Sequence, residues 1–166
     1  MRRRDFITVA AADVTAASLN LPTVGRARVS EIYKLRAGNS DANLIGDGTS
    51  SKNCWLYNAS CPGPLLRRRK GEILNVVVTN DLTTPTTVHW HSIRNVNEMD
   101  GVADLTQPPI EAGEQFLYEV PLTESGTYWY HAHTMGWEQV ARRLYGPLII
   151  DDDEDPAVDH DFTLMI

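Results

Sequence analysis

Four of the five histidines in this chain stand in two H-x-H pairs, His89 and His91 in "TVHWHS" and His131 and His133 in "TYWYHAHTMGW". Corresponding members of the two pairs are separated by the same 42 residues. Neutral imidazole is a good donor for transition metals. Several imidazoles aimed at one point suit copper or zinc, and divalent copper generally binds tighter at an equal ligand set. One such pair on an aromatic-rich strand is also explained by two half-buried histidines bonded to backbone. Two matched pairs flanked by Trp and Tyr point to metal instead.

The pairs need a scaffold that aims them. On a β-strand, residues i and i+2 share one face and lie about 6.5–7 Å apart, so each pair presents two rings in one direction. Trp90 and Ala132, the intervening residues, point the other way, and Trp90 can enter a core. If the two strands lie side by side or end at one rim, all four rings converge. Strand-like runs cover 27–35, 72–80, 86–92, 114–122, 126–133, 144–151 and 161–166, separated by Asn80-Asp81, Pro85, Pro108-Pro109, Gly113 and Ser125-Gly126. This spacing predicts an all-β, antiparallel sandwich or barrel rather than an alternating α/β fold. One short helix is expected within 136–143, and Tyr128, Trp129 and Tyr130 read as strand and core residues. Two other H-x-H families fit poorly. A cupin wants glutamate after three or four residues beyond the second histidine, that is at position 95 or 96, where Asn95 and Val96 stand. A (β/α)8 barrel needs about 250 residues.

With 166 residues, 42% hydrophobic and 22% charged, one well-buried domain is expected and no apolar run is long enough to span a bilayer. The net charge of −7 is unevenly spread: residues 1–70 carry 12 Lys/Arg against 5 Asp/Glu, and residues 71–166 carry 3 against 17. The histidines lie in the acidic part, which disfavours nucleic acid as a partner. "RRRK" at 67–70 reads as a solvated strand approach and "DDDED" at 151–155 as a solvated loop. Arg3-Arg4 followed by Asp5, Phe6, Ile7 and an alanine-rich stretch resembles a twin-arginine export signal, although Asp13 interrupts the apolar region. Residues 1–26 are therefore expected to be an export leader, with a disordered basic tail as the alternative. Export would place the protein in the periplasm, where Cys54 and Cys61 could pair or stay as buried thiols.

The run "TVHWHSIRNVNEMDGVADLTQPPIEAGEQFLYEVPLTESGTYWYHAH" resembles the first cupredoxin-like, or plastocyanin-like, domain of laccase-like multicopper oxidases. The likeness extends upstream through "WLYNASCPGPLLRRRKGEILNVVVTNDL" and downstream through "EQVARRLYGPLIIDD", covering about residues 28–152. It implies a Greek-key β-sandwich or barrel of the cupredoxin type over 27–152, with 153–166 starting a linker and the first strand of a further domain.

The resemblance also implies a ligand set. His89 would bind a type 2 copper, His91 and His131 one type 3 copper, and His133 the other. Asp100 in "MDG" falls where the family keeps a carboxylate that orients ligands and waters and relays protons. The alternative for Asp100 is a turn residue before Gly101, which Met-Asp-Gly favours on its own. Glu138 is a weaker candidate. The family completes the cluster with four histidines and a type 1 copper from its last domain, so dioxygen and a one-electron donor are implied as partners of a longer protein. The remaining cupredoxin domains would come in cis or in trans, and the 166-residue chain alone is expected to be inactive. The alternative is a stand-alone periplasmic cupredoxin that binds or delivers copper. Ser92 and Arg143 replace two glycines usual in the family, at a cost on the order of 1 kcal/mol or more if either position needs φ > 0 or close backbone approach.

Overall fold

The computed structural model describes residues 31–44, 46–153 and 156–165. The expected leader at 1–26 lies outside them. Eight strands form two four-stranded sheets. The strands are β1 (Ile32–Ala42), β2 (Ser51–Tyr57), β3 (Leu66–Arg69), β4 (Ile73–Asn80), β5 (Val88–His91), β6 (Gln115–Pro121), β7 (Gly126–Ala132) and β8 (Tyr145–Asp151). Sheet A runs β2-β1-β4-β6 and sheet B runs β3-β8-β7-β5. Of the two architectures expected, the chain adopts the sandwich and not a closed barrel.

The strands form where apolar residues alternate. β4 turns Leu74, Val76 and Val78 inward, all fully buried, and leaves Asn75, Val77 and Thr79 half-exposed. Against them pack Leu35 and Ala37 of β1, Tyr118 and Val120 of β6, and, from sheet B, Leu66, Trp90, Tyr130 and Leu148. Trp90 meets Tyr118 edge-on with ring centroids 5.4 Å apart, a favourable aromatic arrangement. Asn80 ends β4 as a buried polar residue with its amide satisfied. Its Nδ2 donates to the carbonyls of Thr84 (2.9 Å) and Ile110 (2.8 Å), and its Oδ1 accepts from the Leu82 N–H (3.0 Å). That knot fixes the loop leading into β5.

Three expectations change. The sheets are mixed, not antiparallel, because β1 pairs β4 and β3 pairs β8 in parallel. Such pairings connect strands distant along the chain, so turn signals between neighbours do not reveal them. β2 was not expected as a strand, since "SKNCWLY" opens polar and contains Asn53 at φ +57°. Residues 161–165, expected as a strand, have no strand partner among the described residues, and Phe162 and Leu164 are exposed.

The basic and acidic runs meet each other across the β3–β8 pair. Arg67 grips Asp151 with two bonds of 2.8 Å and reaches Asp161 at 2.8 Å, Arg69 pairs with Asp153 and Lys70 with Asp152. Exposed pairs of this kind add little individually. Together they join the two halves of the charge asymmetry. Cys54 is buried, Cys61 is half-buried, and both are free thiols.

Candidate metal centre

β5 and β7 lie side by side and antiparallel, with His89 opposite His131, Trp90 opposite Tyr130 and His91 opposite Trp129. The equal 42-residue offset therefore does not set the pairing; the antiparallel register does. It places His91 diagonal to His131, and His133, one step past the last paired residue of β7, diagonal to His89. All four rings project from the outer face of sheet B. The His89 ring lies 5.8, 5.4 and 5.2 Å from those of His91, His131 and His133. Ligand atoms of His89, His91 and His131 all fall within 4.8 Å of one another. His131 is buried, His89 half-buried, and His91 and His133 are exposed.

Hydrogen bonds fix the tautomers of two rings. His89 Nδ1 lies 2.7 Å from the Asp100 carbonyl oxygen, which can only accept, so in the neutral ring Nδ1 carries the proton and Nε2 keeps its lone pair. His131 Nδ1 likewise donates to the Ala132 carbonyl at 2.9 Å. The freed His131 Nε2 faces His91 Nδ1 at 3.3 Å. Two nitrogens that share one tetrahedral ion at about 2.0–2.1 Å stand roughly that far apart. Burial pushes the His131 pKa below its ordinary value, partly offset by the Ala132 carbonyl and reinforced by the other three imidazoles. A neutral ring is the form that binds a cation. The donor set, clustered imidazoles with orienting carbonyls, fits a copper-type ion.

Asp100 reaches the site through a tight turn. A short 3-10 turn, Asn97–Met99, ends at Asp100, and Asn95 donates from Nδ2 to the Met99 carbonyl at 2.7 Å. Gly101 follows at φ +79°, where a Cβ would collide with the Val88 carbonyl of β5. Only glycine permits that approach, which presses the Asp100 carbonyl against His89. The Asp100 carboxylate lies 3.5 Å from the same Nδ1. Glu138 instead bonds Arg142 at 3.0 Å.

Trp129 differs from the expectation of a core residue. Tyr128 and Tyr130 pack inward, whereas Trp129 stacks on His131 (4.2 Å) and faces His91 (4.9 Å) on the outer side. Strand alternation alone gives this result, because Trp129 shares the parity of His131. Ser92 and Arg143 stand at φ +64° and +89°, so both replaced glycines fall where L side chains are strained. Helix α1 spans only Gly136–Gln139, shorter than expected, and begins after Met135 at φ +46°.

A multicopper oxidase family model matches residues 39–155. The chain is 40% identical over 141 residues to Laccase-1 of Thanatephorus cucumeris, covering 76% of this chain and 24% of that protein. It is 33% identical over 151 residues to Copper resistance protein A of Escherichia coli, covering 90% and 24%. Among solved structures, the multi-copper oxidase from Pseudomonas Thermotolerans superposes with a TM-score of 0.73 at 38% identity, covering 78% of this chain and 31% of that one. The chain thus spans about a quarter of the length of these curated relatives. On the fold, the histidine face and these likenesses together, the chain belongs to the multicopper oxidase family, as a laccase-like, cupredoxin-like domain.

Proposed function

We propose that this chain is the first cupredoxin domain of a longer, exported multicopper oxidase and supplies half the ligands of its trinuclear copper cluster. The observation that carries the reading is the convergence of His89, His91, His131 and His133 on one sheet face, with the lone pairs of His89 and His131 freed by backbone carbonyls. The His91 Nδ1 and His131 Nε2 spacing of 3.3 Å supports assigning these two to one type 3 copper. His89 takes the type 2 copper and His133 the second type 3 copper. Bound there, copper would supply the one-electron redox chemistry that couples oxidation of a phenolic or metal-ion donor to reduction of dioxygen to water.

The chain's own residues bind and orient. The Asp100 carbonyl holds the His89 proton on Nδ1, and the nearby carboxylate is placed to accept and return protons that oxygen reduction consumes. Trp129 covers one side of His131 and His91 and limits water there. The remaining four histidines and the electron entry site belong to further cupredoxin domains. The double arginine near the N-terminus supports export by the twin-arginine route to the periplasm.

In the full-length, copper-loaded protein, His133→Ala abolishes oxygen uptake with a chromogenic phenol. Full activity in that variant removes His133 from the ligand set. The exposure of His91 and His133 also suits a second reading, a stand-alone copper-binding or copper-delivery domain. The intact mass of the native product decides between them: a mass far above that of 166 residues supports the oxidase, and one slightly below it supports delivery.

A further inference from the structure

Gln139 is fully buried at the end of helix α1, six residues beyond His133. Burying an amide costs free energy unless its groups are paired, and here both are. Nε2 donates to the Pro85 carbonyl at 2.8 Å, and Oε1 accepts from the Thr86 hydroxyl at 2.7 Å. Since the carbonyl can only accept, the orientation of the amide follows from its partners. Both partners lie on the segment entering β5, three and four residues ahead of His89.

The location gives these bonds a role. Ladder pairing between β5 and β7 ends at Val88 opposite Ala132, so His133 lies outside it. Past that point His133 is tied to the β5 approach by its own N–H on the Thr87 carbonyl (3.3 Å) and by the Thr87–Thr134 hydroxyl contact (3.3 Å). The left-handed turn at Met135 then folds α1 back so that Gln139 closes the loop onto Pro85 and Thr86. His133 thus sits in a loop clamped at its far end by one buried amide.

We propose that Gln139 is a positioning residue for the metal centre, fixing His133 relative to His89 from behind the sheet. The inference rests on the reading of the four histidines as copper ligands. Gln139 bonds neither His89 nor His133 itself, so its loss is expected to cost less than the 10–100-fold typical of losing a group bonded directly to a metal ligand. A purely structural amide would lower stability and leave the metal site unchanged.

The test uses the 166-residue chain with Gln139→Leu, which removes both bonds while keeping bulk. Val76→Ala, in sheet A, is a control that lowers stability far from the histidines. The readouts are cupric-ion titration with the electron paramagnetic resonance spectrum, and amide hydrogen exchange of the metal-free chain. Gln139→Leu is expected to weaken cupric binding by up to about tenfold, to change the copper hyperfine pattern and to speed exchange at the His133 amide at least about tenfold relative to Tyr130. Val76→Ala lowers the melting temperature and changes none of these. Gln139→Leu with wild-type copper spectrum, affinity and His133 exchange overturns the proposal. If Gln139→Leu fails to fold, Thr86→Val, which loses one of the two bonds at constant shape, decides by the same readouts with a smaller shift in the same direction. Cupric binding to the wild type that His133→Ala leaves unchanged would defeat the ligand reading, and the exchange data on the metal-free chain would still decide whether Gln139 holds His133.

Discussion

Along β7, Tyr128, Tyr130 and Ala132 face the sandwich interior, while Trp129, His131 and the following His133 face out. β5 repeats the division, with Val88 and Trp90 inward and His89 and His91 outward. The inner face is held by apolar burial and ring packing. Outside, the His89 and His131 rings are steered by the carbonyls of Asp100 and Ala132. Core packing and the histidine cluster therefore lie on opposite sides of the same two strands and can be perturbed separately.

The sharpest break of that comparison sets Trp90→Ala against His133→Ala. Trp90→Ala empties the centre of the core and costs about 3–5 kcal/mol, read from the urea midpoint. His133→Ala changes stability by less than about 0.5 kcal/mol, as for other exposed substitutions. It lowers cupric affinity by more than about 100-fold, beyond the range for outer-partner losses. Comparable stability losses in the two variants would end the separation of faces.

Gly101→Ala is a smaller but mixed lesion, because Gly101 both packs on β5 and places Asp100. Its collision with the Val88 carbonyl and its positive φ cost at least about 2 kcal/mol. The displaced Asp100 carbonyl also weakens copper binding, which titration of the folded fraction would detect. At the strained turn positions the sign reverses. Ser92→Gly and Arg143→Gly each raise stability by about 0.5–1 kcal/mol, since relief of left-handed strain exceeds the added entropy of the unfolded chain. A lowered urea midpoint in both would show that the side chains contribute more than the strain they cause.

The smallest effect is a pH dependence from His131. Its folded pKa lies below its value of 6.5 in the unfolded chain, chiefly through burial. Between these two values the folded state binds fewer protons, so stability rises with pH and is fully present above about 6.5. The metal-free chain is expected to unfold at lower urea at pH 5.5 than at pH 7.5. His131→Gln should flatten that difference, and an unchanged slope would assign it elsewhere.

Much of this was legible in the residues because strand alternation is a strict rule. It makes each H-x-H pair share a face, sends Trp90 into the core, and put six of the eight strands close to their observed places. β2 and β3 were harder, since "SKNCWLY" and "RRRK" lack an apolar alternation and become strands through their partners. The strain expected if Ser92 or Arg143 needed φ > 0 matches their observed backbone. Asp100 was legible only as a carboxylate, whereas the short contact to His89 comes from its backbone carbonyl, which every residue type carries. Gln139 was missed. The available hint was an amide in an otherwise ordinary helical turn soon after a ligand candidate, but its burial depends on a loop about fifty residues upstream.

The strand orders have a further consequence in time. The last strand of sheet A ends at Pro121, whereas sheet B is completed only at Asp151, 30 residues later. At about 5–20 residues per second, a ribosome takes roughly 2–6 s to make the difference. Throughout that interval sheet A has all its strands, while β7, which brings His131 beside His89, is complete at Ala132 and its other neighbour β8 only at Asp151. The paired imidazoles are thus assembled against a partner sheet that can already exist.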